Sequence, residues 1–73
     1  MFCSINGNHV EVREDDGRLV RRWVFRGPVE SAYMSGSDKV VITYTDVQNS
    51  FNPHPRYVEL YNVDGRMIRR TSC

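Results

Sequence analysis

The candidate parts for a nucleophile, a base and an orienting acid in this sequence are Cys3, His9 and His54 with Asp46. Nucleophilic catalysis needs such groups to converge, with a base in reach of the nucleophile and an acid behind the base. No spacing links these four. His9 opens an alternating apolar stretch, where a strand residue with a structural role is expected. Two isolated histidines do not form a metal framework, and neither Cys3 nor Cys73 belongs to a CxxC pair. The five glycines sit singly at turns, which leaves no glycine-rich phosphate loop. The chain is therefore expected not to be an enzyme and to carry no cofactor or metal. Both cysteines are expected as free thiols, although a bridge would form if the two end strands lay side by side.

Positive charge is the next candidate for chemistry. Net charge is only +1, but nine of the ten basic residues are arginine, with Lys39 the exception. Arginine presents a planar fork of donors and stacks on aromatic faces, which suits interfaces and phosphates; a compositional bias would give the same count. Arg13, Arg18, Arg22, Arg56, Arg66 and Arg70 would make a basic stripe if they shared one face, with Trp23, Phe51 or Tyr57 for stacking. Glu11, Asp15 and Glu59 interrupt most such faces. Single-stranded nucleic acid is thus the alternative partner and a protein the favoured one.

A third candidate is the long connection "TDVQNSFNPHPRY" (45–57). Asn49, Ser50, Asn52, Pro53 and Pro55 oppose regular structure there. His54 lies between two prolines, which stiffen the backbone around it. A stiff loop presenting Phe51, His54, Arg56 and Tyr57 has what a recognition surface needs, because pre-organisation lowers the ordering cost of binding. The competing expectation is that Phe51 folds back to cap the core.

The elements that must position these residues are β-strands. At 73 residues the chain is one domain, spanning 1–73. With 40% hydrophobic and 26% charged residues it is globular rather than disordered. No apolar run is long enough for a membrane helix. The start "MFCSINGNHV" lacks the pattern of a signal peptide, so the expected location is the cytoplasm.

One phrase occurs twice. "VEVREDDGRLVRR" (10–22) lies over "VELYNVDGRMIRR" (58–70) at an offset of 48, identical at seven of thirteen positions. The repeat units, 9–25 and 57–73, have the form of β-hairpins: alternating apolar residues, then Asp-Gly, whose glycine adopts positive φ. A two-residue loop would set Val12 opposite Arg21. A three-residue loop with a bulged glycine would set Val12 opposite Val20 and Leu60 opposite Ile68, with Glu11 facing Arg21 and Glu59 facing Arg69. The second is preferred because it pairs apolar with apolar. It puts Val12 and Val20 on one face and Leu19 and Trp23 on the other. "KVVITYT" (39–45) is the strongest strand. Alternation makes 29–34 an edge strand, whereas Pro28 and Gly36 would suit one short helix over 28–35; strand is preferred. Strands are expected near 2–5, 9–14, 18–26, 29–34, 39–45, 57–62 and 66–71. They form an all-β antiparallel meander that closes as a small barrel, as a two-layer sheet, or by oligomerisation.

The stretch "GPVESAYMSGSDKVVITYTD…RYVELYNVDGRMIRR" (27–70) resembles one four-stranded blade of a β-propeller, and residues 2–26 look like the last three strands of a blade before it. It lacks the Trp-Asp signature of WD-repeats, and "VQNSFNPHP" interrupts it. The resemblance implies a binding scaffold, with a closed ring only from several copies. The expected function is a non-enzymatic interaction module for a protein partner or another copy, in the manner of a bacterial or phage modulator protein.

Overall fold

The computed structural model describes residues 1–50 and 53–72. Among these residues there are seven strands and no helix: β1 (Phe2–Asn6), β2 (His9–Arg13), β3 (Leu19–Val24), β4 (Val29–Ser35), β5 (Lys39–Thr45), β6 (Arg56–Asn62) and β7 (Met67–Ser72). All pairing is antiparallel and sequential, giving a sheet β1-β2-β3 and a sheet β4-β5-β6-β7. The segment 28–35 is the strand its alternation suggests. The sheets form two layers rather than a closed barrel, and one core fills the space between them. Val10 and Val12 come from the first sheet; Val40, Ile42, Tyr44 and Tyr61 come from the second, and Phe25 from the crossover. Rings bridge the layers, with Trp23 to Tyr61 at 5.3 Å and Phe25 to Tyr44 at 4.6 Å between centroids.

The crossover is tied on both sides. Phe25 N–H donates to Asn8 O and Val29 N–H to Gly7 O, so the β1–β2 turn grips it. Thr45 N–H donates to Pro28 O and Val47 N–H to Arg26 O, which binds it to the end of β5. Gly27 sits where the two backbones meet: a Cβ there would lie 1.9 Å from Thr45 O.

The hairpin register corrects the sequence-based preference, and both repeats depart from it in the same way. The turn is the expected one: Gly17 N–H donates to Glu14 O and Glu14 N–H to Arg18 O, and Gly65 and Asn62 repeat the pattern with Arg66. Gly17 and Gly65 have φ of 91° and 104°. Beyond the turn, however, one extra residue enters β3 and β7. Arg13 pairs with Leu19 but Val12 with Arg21; Tyr61 pairs with Met67 but Leu60 with Arg69. Val20 and Ile68 are the bulged residues, so neither faces the apolar partner expected for it. The shift puts Glu11 opposite Arg22 and Glu59 opposite Arg70, in place of Arg21 and Arg69. It also puts Trp23 on the face of Val10 and Val12, not the opposite one. A bulge reverses the in-out alternation beyond it, and here that reversal brings Trp23 into the core.

The two repeats turn opposite faces to that core. In β2 the valines are buried, at 0% exposure for Val10 and Val12, and Glu11 looks outward. In β6 the equivalent Val58 and Leu60 look outward and Glu59 is buried, at 1%.

Candidate functional site

Backbone pairing carries the 45–57 connection outward from β5 and back into β6, and Asp46 N–H closes its neck on Pro55 O at 2.8 Å. Asp46 is almost wholly buried. Its Oδ1 accepts from the Gln48 N–H, and its Oδ2 holds the Arg26 guanidinium at 2.9 Å. That guanidinium is half exposed, so a buried acid fixes an accessible fork of donors.

Of the four predicted site residues, His54, Arg56 and Tyr57 are among the described residues, and Arg56 and Tyr57 face opposite sides of β6. Phe51 lies outside the described residues, as does Cys73, the second half of the envisaged bridge. Cys3 is a free, half-buried thiol, and burial raises its pKa. His54 is exposed in the connection, its Nδ1 3.1 Å from Asn49 O. Arg56 and Tyr57 are neighbours in β6 and so point to opposite faces. Arg56 pairs with Glu30 at the surface. Tyr57 turns inward, with the Arg70 guanidinium 4.6 Å above its ring and Tyr44 5.8 Å away.

The sequence reading missed a network around Glu59. Its Oε1 accepts from Tyr61 O–H; its Oε2 accepts from Tyr44 O–H at 2.9 Å and from Arg70 Nε at 2.7 Å. Burial, then the bond to Glu59, raises the pKa of both phenols. A buried carboxylate is tolerable only when its lone pairs are satisfied, and here charge and hydrogen bonds meet that need. The signal lay in the alternate residues: Tyr57, Glu59 and Tyr61 share a face, whereas the first repeat has His9, Glu11 and Arg13 there. Aromatic flanks mark a buried glutamate; polar flanks mark an exposed one. Glu11 is indeed met at the surface, by Arg13 at 3.0 Å and Arg22 at 3.7 Å.

Between β3 and the second sheet a cleft of about 260 Å³ opens, lined by Trp23, Phe25 and Tyr44 with Arg26 and Arg70. The arginines proposed for a basic stripe are dispersed. Arg13 and Arg22 lie on the outer face of the first sheet, Arg70 lines the cleft and Arg56 lies on the outer face of the second sheet. No group of three or more His, Cys, Asp or Glu side chains able to hold a metal occurs among the described residues. No helix among them is long and apolar enough to cross a membrane.

The outer face of the second sheet carries two cross-strand rows: Tyr33, Val41, Leu60 and Arg69, then Ser31, Thr43, Val58 and Thr71. Val41, Val58 and Leu60 remain half-buried there and Tyr33 is 56% exposed. Neither a family model, nor a curated protein, nor a solved structure matches the chain.

Proposed function

We propose that this protein is a non-enzymatic interaction module that engages a protein partner or another copy of itself. The observation that carries the reading is the outer face of the second sheet, where Tyr33, Val41, Val58 and Leu60 lie side by side with no layer over them among the described residues. Contiguous apolar surface of this kind marks interaction sites. Arg56 lies on the same face at the end of β6, and Phe51 and His54 of the 45–57 connection, with Tyr57 after it, are the further contact residues of this reading. Binding tested on the Phe51→Ala variant separates recognition from packing. Association lost with an unchanged melting temperature supports the loop as contact surface. Stability lost by about 3–5 kcal/mol with association intact makes Phe51 a core residue.

One observation favours a second reading, single-stranded nucleic acid: Arg26 and Arg70 share a cleft with Trp23 and Tyr44. Stacking and guanidinium contacts bind single strands in this way. Against it, both arginines are already paired with buried acids, Asp46 and Glu59. Labelled single-stranded and duplex oligonucleotides should bind weakly at physiological salt. Micromolar affinity falling steeply with salt would reverse the preference.

A further inference from the structure

The opposite exposure of the two repeats is what a rotation of one unit onto the next produces. If the second hairpin is the first moved by a rigid rotation, equivalent residues point in the same sense around the axis. Val10 and Val12 point from the first sheet into the second; Val58 and Leu60 then point out of the second sheet into whatever follows. The glutamate face behaves likewise. Glu59 points back toward the first sheet, and Glu11 points back from the first sheet into solvent. The chain thus contains one complete interface and, on its two outer faces, the two separated halves of another.

A single contact makes the equivalence specific. Arg21 crosses from the first sheet to the second hairpin turn, where its guanidinium lies 2.8 Å from the position a Cβ of Gly65 would take. The repeat places Arg69 where Arg21 stands and Gly17 where Gly65 stands. Arg69 is on the outer face with an exposed side chain, and no described residue lies within 4 Å of the equivalent point at Gly17. The donor and the turn it would reach are both present, on the two different sheets of the molecule.

We propose that copies of this chain associate head to tail, the outer face of the second sheet of one copy seating on the outer face of the first sheet of the next. Val41, Val58, Leu60 and Tyr33 meet a face on which Phe2, Leu19 and Val24 surround His9, Glu11, Arg13 and Arg22, so the charges enter the contact already paired with one another, and Arg69 lies over the Gly17 turn of the next copy. The proposal rests on the self-binding half of the functional reading. Such a contact is heterologous, so it ends either in a ring or in a filament. The layers favour a ring. β1 runs close beside β4, whereas β3 makes no comparable approach to β6 or β7 and the cleft opens there. Each copy is a wedge, and wedges stacked in one sense turn about an axis.

Sedimentation equilibrium of the parent and two surface variants tests this. The parent should show a discrete mass that is a multiple of the 8.5 kDa chain. Arg69→Glu sets an acid against the Glu14–Asp16 turn, and Val24→Glu puts an unpaired charge on the other half. Both positions are exposed, so circular dichroism should report a parental fold. Each variant alone should associate at least about tenfold more weakly than the parent. Mixed together, each still has the half the other lacks, so they should pair once and stop at two chains. A parent that stays monomeric at about 1 mM overturns the proposal while leaving a foreign protein partner, tested through Phe51, in place. Variants that each dimerise alone, or a mixture that does not pair, replace head-to-tail contact with a face-to-face one and also overturn it.

Discussion

Glu11 and Glu59 occupy the same place in the repeated phrase and do unequal work. Glu59 is buried and accepts from Tyr44, Tyr61 and Arg70; Glu11 is met at the surface by Arg13 and Arg22. Glu59→Leu would leave two inward phenols without an acceptor and should cost about 3 kcal/mol in urea unfolding. Glu11→Leu should cost no more than about 1 kcal/mol. Equal losses would contradict the burial difference. The phenols also set a pH dependence. Their folded pKa values lie above the usual 10.0, so the folded state holds these protons longer than the unfolded chain does. Their contribution is full below about pH 10 and is lost as pH rises from there through the folded values. Stability measured across that range should fall with pH, and less steeply in Tyr44→Phe. Gly27 has a single reason for its identity. Gly27→Ala drives a methyl into Thr45 O, 1.9 Å away, and should cost about 2 kcal/mol or more in thermal melts.

At the scale of elements, the two Asp-Gly hairpins are the units to test. Gly17→Val and Gly65→Val should each cost about 1 kcal/mol or more, because a β-branched residue resists φ of 91° or 104°. Gly65→Val should be the more damaging, since the Arg21 guanidinium must also move. Unfolding curves that superimpose on the parent would mean the turns relax without cost. The doubled arginines acquire a reason at this scale too. β3 and β7 are both free sheet edges, with Arg21–Arg22 and Arg69–Arg70 near their midpoints. One arginine of each pair answers the glutamate of the neighbouring strand. Together they set like charges against any second copy that tries to extend the sheet, a recognised guard on open edges.

For the whole molecule, the two-layer arrangement decides which surfaces are left over. Folding the meander at Phe25–Pro28 buries the valine face of one hairpin against the glutamate face of the other. It leaves the reverse pair of faces outside, and association through them is the expectation with the widest consequence.

Strand positions were legible in the sequence because they rest on local chemistry. Alternation of apolar residues, Asp-Gly and Asn-Gly turns and β-branched runs act over a few residues, and every expected strand appears within about two positions of its place. The repeat and the glycine-bulged turn were legible for the same reason. Register was not. Matching Val12 with Val20 maximises contact within one hairpin, but the bulges at Val20 and Ile68 give up that match to bring Trp23 onto the core face and Arg70 onto Glu59. The benefit lies in the other sheet, so no property of the hairpin alone reports it. Tyr57 shows the same division. As part of a loop motif it reads as a contact residue; the structure packs it, half-buried, under Arg70 and beside Tyr44 on the inward face. The sequence by itself determined the strands, the turns and the repeated unit. Only the stacking of the two sheets decided which face of each copy became core, because burial is a property of two surfaces brought together and the repeated phrase specifies one.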